Sequence, residues 1–205
     1  KERVDFLFTP IKEDLYPERF GTYVYIEKLS TQLCGLSRPV FFKGVATIVA
    51  KLFNIVKPHV AVFGEKDYQQ VQVIRQMVLD LNFGIEIQSA PIVREKDGLA
   101  MSSRNAYLTG KQRKAAVSLF KAIEKSRELV KVNIIETDKI KDSAKKFIIS
   151  YPETRIDYIE IVDPITLEDI KIIEKPALMA LAVFVGNTRL IDNTILNPRP
   201  ETFSS

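Results

Sequence analysis

Cysteine and histidine are almost absent: Cys34 and His59 are the single examples of each in 205 residues. One cysteine excludes an internal disulfide, and one histidine excludes a site built from several imidazoles. Long apolar runs are also missing. The longest, Leu178 to Val185 after Pro176-Ala177, falls far short of a bilayer span, and no charged-then-apolar leader opens the chain, so no membrane protein is expected; the scarcity of cysteine makes a cytoplasmic location the default expectation. Charge of one sign is not concentrated. Thirty Lys plus Arg face 26 Asp plus Glu, a formal +4, which suits an anionic small ligand and lacks the basic stripe of a nucleic-acid binder. There is no Gly-x-x-x-x-Gly-Lys-Ser/Thr loop, Gly-x-Gly-x-x-Gly, His-Glu-x-x-His or Gly-x-Ser-x-Gly, which argues against P-loop NTPases, NAD-type dehydrogenases, zinc proteases and serine hydrolases. What is present, 46% hydrophobic residues, can bury a substantial core in one large domain or two small ones.

The first half alternates strand-like and helical patterns. Val4 to Phe8 reads as a buried-type strand directly after Lys1-Glu2-Arg3, a pattern expected either of a start in mid-fold or of a trimmed or disordered leader. Thr22 to Ile26 reads as an exposed ribbon or edge strand. Gly44 to Val56 carries one apolar helical face, stopped by Lys57-Pro58, and Asp67 to Leu81 recovers that period before Asn82-Phe83-Gly84. Val60 to Phe63 and Ile85 to Ala90 are strands. This order predicts a parallel sheet wound by right-handed crossovers. After Asn105 the character changes. Thr109 and Gln112 form a capping box opening a long helix, a second helix runs from about Thr137 to Ile149, and three strands follow at Asp157 to Val162, Leu178 to Val185 and Arg189 to Ile195. The expected fold class is α/β, a Rossmann-like parallel sheet over residues 1–92 followed by a small α+β domain over 93–205. The proline-broken tail from Asn197 is expected to be loose.

Two segments carry candidate chemistry. In Phe63-Gly64-Glu65-Lys66-Asp67-Tyr68-Gln69-Gln70, Lys66, Asp67 and Gln70 share one face at a strand-to-helix joint, where free N–H groups favour an anion. Gly64 permits close backbone approach. The alternative is that Asp67 caps the helix, Lys66 is solvated and Gln70 faces water; Glu65 fits that alternative better than the site. In Met101-Ser102-Ser103-Arg104 two hydroxyls and a guanidinium match the donors triphosphate oxygens need, and Arg104 is placed to stabilise charge on a transferring phosphate. Ser-Ser-Arg also describes many surface turns, but its place beside the domain boundary gives it weight. His59 reads as a strand-entry surface residue, Cys34 as an inert thiol, and Asp192-Asn193 as a turn or cap. No metal-ligand pattern is present.

At these residues the chain resembles the pantothenate synthetase (pantoate–β-alanine ligase) family. Phe63 to Gln70 and Asp97 to Asn105 match its two central motifs in order and separation. Supporting segments are Asp5 to Pro10 with Tyr16-Pro17, Ser37-Arg38-Pro39, Gly44 to Thr47 and Arg189 to Asn193. The resemblance implies an ATP-dependent ligase that condenses pantoate with β-alanine through pantoyl adenylate, releasing AMP and pyrophosphate. It implies ATP binding by Gly64, Glu65, Lys66, Asp67, Val93, Met101, Ser102, Ser103 and Arg104, catalytic roles for Lys66, Ser102, Ser103 and Arg104, and a pantoate contact at Gln70. Mg²⁺ would enter with the nucleotide phosphates, and a homodimer is implied, with the Thr22 to Ile26 ribbon as the candidate contact. Two departures accompany the match. Pro39-Val40-Phe41-Phe42 stands where the family usually has Pro-Gly-His-Phe, and the family's first strand and helix, with a His-x-Gly-His motif and a pantoate-binding glutamine, have no counterpart and would lie upstream of Lys1. A second reading, from another class, is a folded non-catalytic fragment that binds nucleotide weakly or only dimerises.

Overall fold

The computed structural model describes residues 3–199; the end of the proline-broken tail, 200–205, lies outside them. Three short helices, α1 (Lys12–Leu15), α2 (Glu27–Thr31) and α3 (Cys34–Ser37), precede α4 (Phe41–Val56). Helix α4 begins three residues before the Gly44 that the pattern suggested. Phe42 belongs to the same buried face as Ala46, Ala50 and Phe53, so apolar contact carries the helix back past the glycine. Its other end matches the sequence reading: Lys57 turns left-handed, its N–H returns to the Phe53 carbonyl, and Pro58 cannot continue the helix.

Strand β1 (Val60–Gly64) pairs in parallel with β2 (Glu86–Ala90), joined by a 3₁₀ turn at Glu65–Asp67 and helix α5 (Tyr68–Asp80). The apolar face of α5, Val73, Ile74 and Met77, packs against that of α4. Two expected strands did not form. Val4 to Phe8 joins no sheet, and Val4, Phe6 and Leu7 are exposed, because an apolar run becomes a strand only where a neighbouring edge takes up its N–H and C=O groups. Thr22 to Ile26 joins no sheet; the Val24 N–H donates to Thr47 Oγ1 at 2.9 Å instead.

Beyond a second 3₁₀ turn at Ser103–Tyr107 come α6 (Gly110–Lys131), α7 (Thr137–Ile149) and an antiparallel sheet ordered β3 (Thr154–Val162), β4 (Ala177–Val185), β5 (Thr188–Leu196). The Thr109–Gln112 capping box forms as expected. The β4–β5 turn uses Gly186 at φ +57, the conformation that a tight hairpin demands. Strand β4 is buried at every residue except Phe184, since the sheet is covered on both faces. Ile159, Ile161, Met179, Leu181 and Val183 pack against α6 and α7. Val162, Leu178 and Ala180 join Phe42, Phe53, Ile74 and Met77. A mixed α/β layout results, with a two-stranded parallel sheet and a separate three-stranded antiparallel sheet whose second face is continuous with the first half's core. Among the described residues no helix is long and apolar enough to cross a membrane.

Candidate functional site

The end of β1 delivers Lys66 and Asp67 on a 3₁₀ turn, and the first turn of α5 follows with Gln69 and Gln70. Asp67 occupies the N-cap position but makes no side-chain cap bond, so the plain capping role is not realised and its carboxylate remains available. Burial holds the Lys66 ammonium below its ordinary range; Asp67 opposes that shift, Arg104 adds to it and Asp192 opposes it. The two glutamines have different surroundings. Gln69 is buried, donating to the Leu29 and Gln32 carbonyls at 2.8 and 2.7 Å and accepting from the Cys34 N–H at 3.1 Å, whereas Gln70 faces a cavity that opens to solvent.

Arg104 reaches that cavity from the other direction. A hairpin precedes it: Arg94 bridges Ala100, the Met101 N–H donates to the Val93 carbonyl at 2.9 Å, and Gly98 turns the chain at φ +90. A Cβ at Gly98 would sit 2.2 Å from the Phe120 ring, so here only glycine fits. Arg113 on α6 grips Glu95 and Asp97, and Asn105 donates to Glu95 at 2.6 Å. Ser102 caps the following 3₁₀ turn by accepting from the Arg104 N–H at 3.3 Å, and the Arg104 guanidinium donates to the Arg189 carbonyl on β5.

Four of the sequence-predicted residues, Lys66, Asp67, Gln70 and Arg104, therefore line one cavity. Six do not line it: Gly64, Glu65, Val93, Met101, Ser102 and Ser103. Glu65 instead accepts from Ser89 Oγ at 2.7 Å, anchoring the turn to β2. Val93 and Met101 are exposed side by side, and Ser102 and Ser103 stand at the start of the Arg104 turn. Gly64 is extended, and a Cβ there would meet nothing within 4 Å.

The cavity wall holds further residues that motif chemistry alone did not assign: Arg38, Phe41, Tyr158, Arg189, Asp192 and Asn193. Arg38 stacks over the Phe41 ring at 3.8 Å, so the phenylalanine supports a cation. Arg189 is committed to Asp157 at 2.8 Å and Asp192 to Arg94 at 2.7 Å. Among the described residues this leaves Lys66, Arg38 and Arg104 without carboxylate partners against Asp67, a net positive cavity fitted to a polyanion. Asp192-Asn193, expected as a turn or cap, lies inside β5: isolated Asx residues look like turns, but here both amide and carboxylate are used across the sheet. Cys34 lies on the same wall, half-buried.

The family model for pantoate-beta-alanine ligase matches residues 1–195. Pantothenate synthetase of Desulfatibacillum aliphaticivorans is 56% identical over 195 residues, 95% of this chain and 69% of the relative. Crystalline pantothenate synthetase from Thermus thermophilus superposes with a TM-score of 0.91 at 43% identity, covering 96% of this chain and 71% of that one. Pantoate-beta-alanine ligase from Francisella tularensis, complexed with beta-gamma ATP and beta-alanine, matches with a TM-score of 0.68 at 28% identity over 89% of this chain and 61% of that one.

Proposed function

Because this chain belongs to the pantoate–β-alanine ligase family, a family of ligases, we propose that its cavity binds ATP and pantoate and joins pantoate to β-alanine through pantoyl adenylate. The observation that carries this reading is the convergence of Lys66, Asp67, Gln70 and Arg104, from segments almost forty residues apart, on one cationic cavity. A carboxylate is a poor acyl donor until one of its oxygens becomes part of a good leaving group. A pantoate carboxylate oxygen attacks the α-phosphorus, the bond to the bridging oxygen breaks, and pyrophosphate departs. The β-alanine amine then attacks the acyl carbon, AMP leaves, and the nitrogen loses a proton as the amide forms.

Lys66 and Arg104 offset the charge that builds on the phosphate oxygens, where fixed donors in a partly dry site count most. Ser102 and Ser103, at the start of the Arg104 turn and outside the cavity lining, add hydroxyl donors where the nucleotide extends beyond the cavity, and the exposed Val93–Met101 pair supplies an apolar contact there. Gly64 and Asp67 border the phosphates, and Glu65 holds the turn from behind. Gln70 hydrogen-bonds pantoate. Mg²⁺ would enter with the ATP phosphates and help offset their charge. We also infer a division near residue 92, a homodimer using the exposed Tyr23 and Tyr25, and a cytoplasmic location in keeping with the substrates. Pantoate-dependent exchange of labelled pyrophosphate into ATP tests the reading. Lys66→Ala and Arg104→Ala should each slow exchange by about 100-fold with the fold intact. Absence of exchange in the unaltered chain would sink the ligase reading for it.

A further inference from the structure

Side chains of successive strand residues point to opposite faces, and β5 uses this at adjacent positions. Asn193 pairs with Ala180 and Asp192 with Leu181, so Asn193 lies on the face toward α5 and Asp192 on the face toward α6. From the first face the Asn193 amide nitrogen donates to two carbonyls, Glu65 at 2.9 Å and Lys66 at 3.0 Å. Two carbonyl acceptors fix the orientation of the amide, since only its nitrogen can donate to both. From the second face Asp192 takes both guanidinium nitrogens of Arg94, at 2.7 and 2.9 Å. Arg94 also holds the Gly98 carbonyl and lies over Phe120, which fixes the base of the hairpin leading to Arg104. The two residues are themselves joined, the Asn193 N–H donating to Asp192 Oδ1 at 2.8 Å.

Asp192 and Asn193 are both buried. Among the described residues, the Asn193 amide makes the only hydrogen bonds from the Lys66 turn to any part of the chain beyond residue 100. We propose that Asp192 and Asn193 are positioning residues that set the distance between the Lys66 turn and the Arg104 turn, each from its own face of β5. This rests on the ATP-site reading above. Two cations gripping one polyphosphate must keep a fixed separation, and a misplacement of about 1 Å in such a site can cost roughly 100-fold in rate. The Asp192 half is a bidentate pair, while the Asn193 half holds a backbone turn that has no other hydrogen bond to the far side among the described residues.

The test compares Asn193→Ala with Thr194→Val, the next residue on the same strand, whose hydroxyl accepts from Arg127 on α6 and stands away from the cavity. Two quantities are read: the titration of the Lys66 ammonium by NMR of ε-carbon-labelled lysine, and the dissociation constant for ATP with Mg²⁺ by calorimetry. Freed from its carbonyl anchor, the turn exposes Lys66, so in Asn193→Ala its titration moves up toward the ordinary 10.5 and ATP binds about tenfold more weakly, roughly 1.4 kcal/mol. Thr194→Val lowers the thermal midpoint and leaves both unchanged. Should the alanine variant not fold, Asn193→Leu keeps a similar branched outline without the donors and gives the same comparison. An unshifted Lys66 titration, unchanged ATP affinity, or equal shifts in Thr194→Val would overturn the proposal. Silence of the unaltered chain toward ATP would overturn the ATP-site reading instead, and the Lys66 titration would still decide whether Asn193 holds the turn.

Discussion

The antiparallel sheet and the parallel sheet have comparable apolar strands but different fates. In β4 Leu178, Met179, Leu181, Ala182 and Val183 are wholly buried, with helices or the first-half core on each side. In β1, Val60 and Val62 stay 42% and 63% exposed, and the apolar run Val4 to Phe8 joins no sheet at all. The difference teaches that apolar patterning states which faces can be buried, while burial itself depends on what covers them. Stability therefore concentrates in the antiparallel half, and the candidate chemistry sits where its strand β5 meets the turns carrying the cations.

The contrast breaks first if core truncations cost the same in both sheets. Leu178→Ala removes a wholly buried side chain shared with Phe42 and Met77 and should cost about 3 kcal/mol in denaturant unfolding. Val62→Ala should stay within about 0.5 kcal/mol. Next, Gly98→Ala forces a Cβ into the Phe120 ring at φ +90 and should cost roughly 2 kcal/mol; hydrogen exchange should show loss of protection in the 93–105 hairpin before the antiparallel core.

A smaller effect comes from pH. Burial depresses the Lys66 ammonium below 10.5, so the folded state binds fewer protons than the unfolded state between the folded value and 10.5. Stability from this residue therefore rises with pH through that window and is lowest below it, while ATP affinity, which needs the charged form, falls across the same window. Lys66→Arg should flatten the fall in affinity, measured by calorimetry from pH 7 upward. The least change is expected from Val62→Ser: stability nearly constant, with reduced fluorescence of a bound apolar dye if the exposed Val60–Val62 face is the patch that takes it up.

Helices α5 and α6, the β4–β5 hairpin and the capping box at Thr109 were legible because their causes are local: a 3.6-residue period, Gly186-Asn187, and Thr with Gln three residues on. Lys66 and Arg104 stood out as candidates although a solvated lysine and a Ser-Ser-Arg surface turn read the same way locally; what the structure adds is that both line one cavity. What stayed hidden was non-local. Nothing near Val4 to Phe8 signals that no strand edge would receive it, and although Arg189 to Ile195 reads as a strand, nothing in Asp192-Asn193 shows which groups on its two faces take up the carboxylate and the amide. Arg38 and Phe41 join the cavity wall through their stacking contact and the fold around them.

The most direct test of the central claim, that the Lys66 and Arg104 segments form one nucleotide site, is calorimetric titration of the intact chain, Lys66→Ala and Arg104→Ala with ATP and Mg²⁺, repeated with pantoate. The account predicts measurable binding by the unaltered chain that strengthens with pantoate, and at least about tenfold weaker binding in both variants. Binding that is indifferent to both substitutions would contradict it.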